Sequence, residues 1–293
     1  MIVDHVALLP AYAAVGTAIV VFVVDLVVPG RRGPILVAGV LGCAVTAGLA
    51  IRAGVLGQSR GTLCSPAGCS YVADRTAAVV AVLAVAAIII GGLVCLAQTE
   101  LKRLIAYSSV GHMGFVLLGI ATLTATGFQA ALIGNVAHGV ITGLLFFLAG
   151  AIKDRAHTGS LTELGGLRET APGLAGLLGY AAIASLGLPG LAGFWGEAFA
   201  VVAALRRGWT VLAVLAALGA ALAAAYFLRL LRRVTHGPAA PAVVRLAPAG
   251  LASAELLSWG PLVVLALALG LLPAAVVNLS ADAARALAEA VAK

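Results

Sequence analysis

A carboxylate follows a proline and a glycine inside an apolar stretch of the sequence. Residues 186–197 read LGLPGLAGFWGE, so Glu197 comes shortly after Pro189 and Gly190. Proline lacks a backbone donor and clashes with the preceding turn, so a helix through this stretch must break or kink. In lipid, a broken backbone persists only beside protein or a water-filled cavity, and a carboxylate there is costly and usually functional. We interpret Glu197 as a group that exchanges protons; the alternative is a glutamate that caps a helix or reaches the outer interface.

A histidine lies near the middle of the apolar segment 128–152. Asn135 precedes His138 by three residues and Thr142 follows it by four, so a helix places all three on one face. Imidazole gains and loses a proton at cellular pH, which suits proton transfer. The alternative, a neutral histidine that hydrogen-bonds to a neighbouring helix, fits the sequence equally well.

Polar side chains are also dense in residues 98–114, which read QTELKRLIAYSSVGHMG. Lys102 can point into the protein and serve a proton relay, or it can anchor a helix end at the membrane surface together with Arg103. His112 lies a few turns into the following helix and is a second histidine that could take part in a relay. These groups would together move a proton or a small cation.

The composition determines which class of structure must hold these groups. Of the 293 residues, 62% are hydrophobic and 10% are charged, and the mean hydropathy is +1.14. A soluble domain is about one quarter charged, so we predict an all-α, polytopic membrane protein. Roughly 20 apolar residues span a bilayer as a helix. Eight such segments are predicted, the sixth of them discontinuous around Pro189, at 6–28, 34–56, 76–97, 105–123, 128–152, 172–205, 209–231 and 256–277.

The basic residues predict how the chain is oriented. The loops after the first, third, fifth and seventh predicted spans hold 11 of the 18 lysines and arginines, if those at the span ends are included. Cytoplasmic loops carry the excess of these residues, so both termini are expected on the outer side. The same distribution explains the formal charge of +7 without nucleic acid as a partner.

Two cysteines lie in a polar loop, residues 61–70, on the predicted outer side. An oxidising compartment permits a disulfide between Cys64 and Cys69, and two free thiols are an equally good interpretation. Two thiols without a nearby histidine are too few for a metal site. Because the sequence has neither a cysteine spacing for an iron–sulfur cluster nor a glycine-rich nucleotide loop, we expect no cofactor.

Four stretches of the sequence resemble a known family. They are AQTELKRLIAYSSVGHMG at 97–114, NVAHG at 135–139, DRAHT at 154–158 and LPGLAGFWGE at 188–197. In this order they are similar to the antiporter-like M and N subunits of respiratory NADH:quinone oxidoreductase (complex I), and the resemblance covers about residues 76–231. Mrp-type sodium/proton antiporters and membrane hydrogenases share the fold and some of these motifs.

The resemblance implies a proton path along a row of ionisable residues in the middle of the membrane. Glu197 matches the ionisable position of a broken helix, His138 matches a histidine on the relay axis, and Lys102 matches the lysine of an acid-x-Lys-Arg motif. It also implies one membrane domain over 1–293. This domain would comprise N-terminal helices and an outer loop at 1–75, a five-helix repeat at 76–233, and a last helix and tail at 254–293. Members have two such repeats, and the first is expected to be absent here.

The leading functional hypothesis is a proton-conducting membrane subunit of a complex I-like assembly in the cell membrane. Other membrane subunits are then its partners, and electron transfer takes place in them, because this chain has no redox site of its own. One alternative is a subunit of an Mrp-type sodium/proton antiporter. A second alternative is a structural or assembly subunit that transports nothing.

Overall fold

A computed structural model describes the part of the chain that carries most of these motifs. It covers residues 79–244 and 251–290 with their side chains, the backbone of 60–65, 68–73, 75–78 and 291–292, and single helical positions between 12 and 49. The predicted spans at 6–28 and 34–56 lie mostly outside the described residues. The structure therefore tests only the last six of the eight predicted spans.

The described residues form ten helices and one β-hairpin. Five of these helices are long and apolar enough to cross a membrane: α1 from Val79 onward, α2, α3, α7 and α9. An all-α, polytopic membrane fold is thereby confirmed, whereas the number of eight spans is not. In chain order the elements are β1 Arg60–Ser65, β2 Gly68–Ala73, α1 Arg75–Ala97, α2 Leu101–Ala121, α3 Ala125–Ala156, α4 Leu167–Thr170, α5 Pro172–Ser185, α6 Ala192–Arg206, α7 Thr210–Thr235, α8 Pro241–Val244, α9 Ser253–Leu271 and α10 Pro273–Ala292.

Side-chain caps decide where two central helices begin. Glu100 accepts a hydrogen bond from the backbone N of Arg103 at 3.1 Å before α2, and Thr124 accepts one from Gly127 at 3.1 Å before α3. Such caps satisfy the free N–H groups of a first turn. Hydropathy placed these starts at 105 and 128, a few residues too late, because it reports contact with lipid and not helix termination.

The discontinuity predicted around Pro189 and Gly190 is confirmed. Helix α5 ends at Ser185 and α6 begins at Ala192. Between them, the backbone N of Leu191 donates to the carbonyl of Leu188 at 3.1 Å, and Gly190 has a φ of 88°. Proline followed by a glycine with positive φ is the pattern of a type II turn. The two half-helices are therefore joined by a turn and not by continuous helix.

The last predicted span is wrong in its extent. Instead of one helix over 256–277, α9 ends at Leu271 and α10 starts at Pro273. Proline disfavours a helical conformation in the residue before it and so separates the two helices. The tail that follows this span in the sequence forms the second half of α10. That helix packs against α3, where the Gln129 side chain donates to the carbonyl of Val277 at 3.4 Å.

The cysteine-containing loop is a β-hairpin and not an irregular loop. Strands β1 and β2 pair antiparallel, with Cys64 opposite Cys69 in the register. Directly opposed residues have neighbouring Cβ positions in an antiparallel pair. The disulfide between these two cysteines stays a prediction.

Close glycine contacts join four of the helices in two pairs. A Cβ on Gly91 of α1 would lie 2.7 Å from the backbone N of Gly111 in α2, so these backbones touch. In the same way, a Cβ on Gly196 of α6 would lie 2.5 Å from the Cα of Gly134 in α3. Small residues at helix crossings allow this approach in membranes. Helix α2 in turn packs against α3 and α6, so the polar side chains of these three helices can meet.

An ion pair joins the ends of two helices at one face of the bundle. Arg155 of α3 donates to both carboxylate oxygens of Glu255 in α9 at 2.8 and 2.7 Å, with side-chain exposures of 22% and 21%. A double-mutant cycle with alanine at both positions, followed by unfolding in detergent, should give a coupling energy of about 1 to 3 kcal/mol, because Nη2 of Arg155 makes charge-assisted hydrogen bonds to a half-buried carboxylate. The pair Arg285–Asp282 is the control. It is 66% and 94% exposed, and its cycle should give under about 0.5 kcal/mol. Equal coupling energies for the two pairs would contradict this prediction.

Candidate functional site

Polar side chains from five helices meet inside the bundle. His112 comes from α2, His138 from α3, Ser185 from the end of α5, Glu197 from α6 and Tyr226 from α7. Each of the five helices contributes at least one polar group to the interior. The site exists only because the helices pack around it, since these residues are far apart in the sequence.

The shortest contact in the site joins a carboxylate to an imidazole. Oε1 of Glu197 lies 2.9 Å from Nδ1 of His112, and the two side chains are 11% and 10% exposed. Glu197 thus points into the protein, beside the helix break. Its interpretation as a cap or as an interfacial side chain does not agree with this position. Buried acid–base pairs of this kind exchange protons over a single hydrogen bond.

The second ring nitrogen of His112 faces two hydroxyl groups. Nε2 lies 3.1 Å from Oγ of Ser185 and 3.5 Å from the phenol oxygen of Tyr226. When Glu197 is ionised it accepts the hydrogen of Nδ1, and Nε2 then accepts from a hydroxyl. Tyr226 is 2% exposed, so its phenol depends on such a partner. These contacts fix the orientation of the imidazole ring.

A second histidine lies beside the first. The ring centroids of His112 and His138 are 5.5 Å apart. Oγ1 of Thr142 lies 3.2 Å from Nδ1 of His138, which confirms that Thr142 shares the face of His138. Asn135 does not, because its side chain is exposed at the surface of the bundle. The three residues predicted to share one face are therefore divided: His138 and Thr142 lie in the interior and Asn135 lies at the surface.

The two histidines and the broken helix together line a small cavity. Both histidines, Glu197, Gly134 and Gly193 are among the residues that line it. The space open to the centre of a water molecule is about 20 Å³. About 10 to 15 Å³ is enough for one water. Glycines on α3 and α6 leave this space because they have no side chain. The cavity can thus hold the water that would link the imidazoles.

The unwound segment approaches the carboxylate directly. Gly187 has a φ of 72°, and a Cβ there would lie 2.7 Å from Oε2 of Glu197. Glycine is needed here both for the conformation and for the space. The carboxylate of Glu197 therefore lies directly against the non-helical backbone between α5 and α6.

Lys102 is not part of this cluster. It precedes His112 by ten residues on α2, which is roughly 15 Å along the helix axis. Its Nζ lies 3.9 Å from where a Cβ of Gly150 would be, toward the far end of α3. The structure thus brings together three of the four candidate relay residues, Glu197, His112 and His138, and leaves the fourth apart.

Sequence reasoning missed Ser185 and Tyr226. A signal exists for Ser185, since it is a polar residue directly before the helix break at Pro189. Tyr226 lies in the apolar helix α7, and nothing in its spacing distinguishes it from a tyrosine that only packs. Only the approach of α7 to α2 shows that its hydroxyl reaches His112.

Comparisons with known proteins agree with this geometry. A family model described as NADH:quinone oxidoreductase/Mrp antiporter, TM, matches residues 35–223. The NADH-quinone oxidoreductase subunit M of Rickettsia conorii is 35% identical over 237 residues, which is 81% of this chain and 47% of that protein. A chain of respiratory complex I from Thermus thermophilus superposes with a TM-score of 0.65 at 27% identity, over 99% of this chain and 60% of that chain. A chain of the Mrp complex from Dietzia sp. DQ12-45-1b superposes with a TM-score of 0.66 at 20% identity, over 97% and 67% of the two chains.

The share of each relative that this chain covers decides how much of the relative's description applies to it. The chain spans less than half the length of the curated relatives it matches, and the likeness to the Mrp structure concerns the fold. The family match nevertheless covers more than half of this chain and includes His112, His138 and Glu197. The resemblance seen in the motifs is confirmed, and the chain belongs to the NADH:quinone oxidoreductase/Mrp antiporter family of membrane-embedded, multi-pass proteins.

Proposed function

We propose that this chain conducts protons across the membrane through Glu197, His112 and His138. The single observation that carries the proposal is the buried contact of 2.9 Å between the carboxylate and the imidazole. Two groups that titrate, share one hydrogen bond and lie beside a helix break fit proton transfer better than structural support. A core histidine that only packed would not need an acidic partner in lipid.

The proposed relay uses both nitrogens of His112. A proton arrives at Nε2, from water or past the hydroxyls of Ser185 and Tyr226, and gives an imidazolium. The hydrogen on Nδ1 then passes to Oε1 of Glu197, which leaves a neutral histidine and a protonated glutamate. His138 exchanges protons with His112, whose ring centroid lies 5.5 Å away, through water in the cavity that both side chains line. Lys102 can join only through further water, and its role in the relay stays a prediction.

The chain would do this as one subunit of a larger assembly in the cell membrane. The relatives that support this are subunits of NADH-quinone oxidoreductases and chains of multisubunit respiratory complexes. Electron transfer would occur in partner subunits and drive the relay through changes in conformation and charge. The excess of basic residues in alternate loops supports a topology with both termini on the outer side.

A sodium-transporting antiporter subunit is the second candidate, and the family description that includes Mrp antiporters favours it. The cluster offers one carboxylate, three hydroxyls and two imidazoles. Hard cations prefer oxygen ligands, whereas imidazole nitrogen suits transition metals and protons. The donor set therefore supports protons over sodium.

The test compares one substitution at two histidines. We expect His112→Asn, in the assembly purified with its neighbours and placed in proteoliposomes, to lower proton flux by about tenfold, because asparagine cannot carry a proton. His157→Asn is the matched control. This histidine is exposed and ends α3 with a φ of 56°, a conformation that asparagine also adopts. Proton flux is followed with a pH-sensitive dye while a quinone is reduced.

The outcomes separate the candidates. Unchanged flux in His112→Asn, with intact assembly, would remove this histidine from the path. A pH change that requires sodium in the wild type would favour the antiporter. Deletion of this chain that disrupts assembly of the complex but does not lower its proton pumping would favour a structural subunit.

A further inference from the structure

The end of α9 packs directly against the helix break between α5 and α6. Gly270 is buried there, and a Cβ on it would overlap the carbonyl oxygen of Gly190 and lie 2.6 Å from the Cα of Leu191. The two backbones therefore touch with no side chain between them. The non-helical segment that meets the carboxylate of Glu197 at Gly187 thus also meets α9 at Gly190.

A second contact joins the same residue of α9 to the start of α6. Nε1 of Trp195 donates a hydrogen bond to the carbonyl oxygen of Gly270 at 2.8 Å. That carbonyl is available because α9 ends one residue later, at Leu271, and the last four carbonyls of a helix have no partner within it. An indole N–H can only donate, and in a membrane it needs an acceptor. Each of these two groups therefore satisfies the other.

The first turn of α6 has no side-chain cap of its own. Leu191 precedes the helix and offers no polar side chain, in contrast to Glu100 before α2 and Thr124 before α3. The backbone N of Phe194 donates to the carbonyl of Leu191 at 3.2 Å. A helix start without a cap is held by its surroundings or frays. The contact with α9 therefore supplies the fixation that a cap provides at the other two helices.

Trp195 and Glu197 project from α6 in nearly opposite directions. A helix turns about 100° per residue, so side chains two residues apart are separated by about 200°. Glu197 reaches His112 on α2, while Trp195 reaches Gly270 on α9. A hydrogen bond at the far edge of the indole resists rotation of α6 about its axis, and such a rotation would carry the carboxylate away from Nδ1 of His112. The orientation of the carboxylate thus depends on α9.

We propose that Trp195 is a positioning residue for the proton transfer between His112 and Glu197. Its hydrogen bond to Gly270, together with the contact of Gly270 with Gly190, holds the carboxylate at the imidazole. Helix α9 thereby contributes to the relay through a backbone carbonyl. The inference rests on the proposed function, because it concerns the same transfer. The position of the carboxylate can nevertheless be measured without proton flux, so the two are tested separately.

The first experiment removes the indole N–H and keeps an aromatic ring. Trp195→Phe, in the assembly purified with its neighbours and placed in proteoliposomes, should lower proton flux by about fivefold, because small displacements between reacting groups slow a transfer. Trp209→Phe is the matched control beyond the other end of α6. Trp209 is 3% exposed, so its variant should lose at least as much thermal stability while the flux stays unchanged. Wild-type flux in Trp195→Phe, where Glu197→Gln lowers it, would overturn the proposal.

The second experiment observes the carboxyl group itself. Infrared difference spectra between two pH values should contain a carboxyl C=O band that Glu197→Gln lacks. In Trp195→Phe this band should move to higher wavenumber, because the C=O stretch rises when a carboxyl group loses a hydrogen bond, and in Trp209→Phe it should not move. A merely structural tryptophan would lower the melting temperature and leave the band in place, which would overturn the proposal. A shifted band together with wild-type flux in Glu197→Gln would reject the proposed function and keep the positioning role.

The third experiment disturbs the break from the side of α9 and leaves the indole intact. Gly270→Ala places a Cβ against the backbone of Gly190 and Leu191, so it should lower the flux and shift the same infrared band. Gly260→Ala is the control, since Gly260 lies in the same helix and a Cβ there would meet nothing within 4 Å. Equal flux and equal band positions in the two variants would overturn the proposal. If Gly270→Ala does not assemble, the comparison of the two tryptophan variants decides.

Discussion

Replacement of Glu197 by glutamine is expected to lower proton flux through the assembly by about a hundredfold, since the amide cannot accept the proton that a positioned carboxylate transfers. Glutamine has the same size and can still accept a hydrogen bond from Nδ1 of His112 through its carbonyl oxygen. The cluster should therefore keep its packing, and the melting temperature in detergent should change little. The measurement is the initial rate of acidification in proteoliposomes during quinone reduction.

Two further variants test whether the loss of flux comes from the carboxylate at position 197 and from its distance to His112. Glu169→Gln, at an exposed glutamate of α4, makes the same chemical change away from the site and should leave the flux unchanged. Glu197→Asp keeps the carboxylate but moves it away from His112, so it should give an intermediate rate. Wild-type flux in Glu197→Gln, with normal amounts of assembled protein, would show that protons follow another route.

Substitution of Gly187 by alanine is expected to have the second-largest effect. A residue other than glycine at a φ of 72° costs about 1 to 2 kcal/mol. The new Cβ would in addition lie 2.7 Å from Oε2 of Glu197, so the carboxylate must move away from His112. A displacement of about 1 Å between reacting groups can lower a rate by up to about a hundredfold, and we expect proton flux to fall by at least about tenfold.

The neighbouring glycine supplies a control with the same backbone strain. Gly190 has a φ of 88°, but a Cβ there would meet nothing within 4 Å. Gly190→Ala should therefore lower the melting temperature about as much as Gly187→Ala while it changes the flux far less. Equal loss of flux in both variants would mean that strain in the break, and not the position of Glu197, limits proton transfer.

The helix break and its acidic residue could be found from the sequence because their cause is local. Pro189 removes a backbone donor and is followed directly by Gly190, a pair that favours a turn, and a charge such as Glu197 is costly in lipid without a use. Proline alone does not decide this, since Pro261 lies inside α9. The composition likewise determined an all-α membrane fold, since helices satisfy their own backbone groups in a bilayer. The same local reasoning failed at residue 272, where Pro273 separates α9 from α10 inside a stretch that hydropathy alone takes as continuous.

Which polar groups form the site was decided by packing between helices. His112 and Glu197 are 85 residues apart, and Tyr226 and Ser185 reach the imidazole from two further helices. No spacing along the chain encodes these distances, because they depend on the glycine contacts between α1 and α2 and between α3 and α6. For the same reason the sequence could not separate Lys102 and Asn135 from the site: helical periodicity places them on a face, but only neighbouring helices decide whether that face is interior or surface.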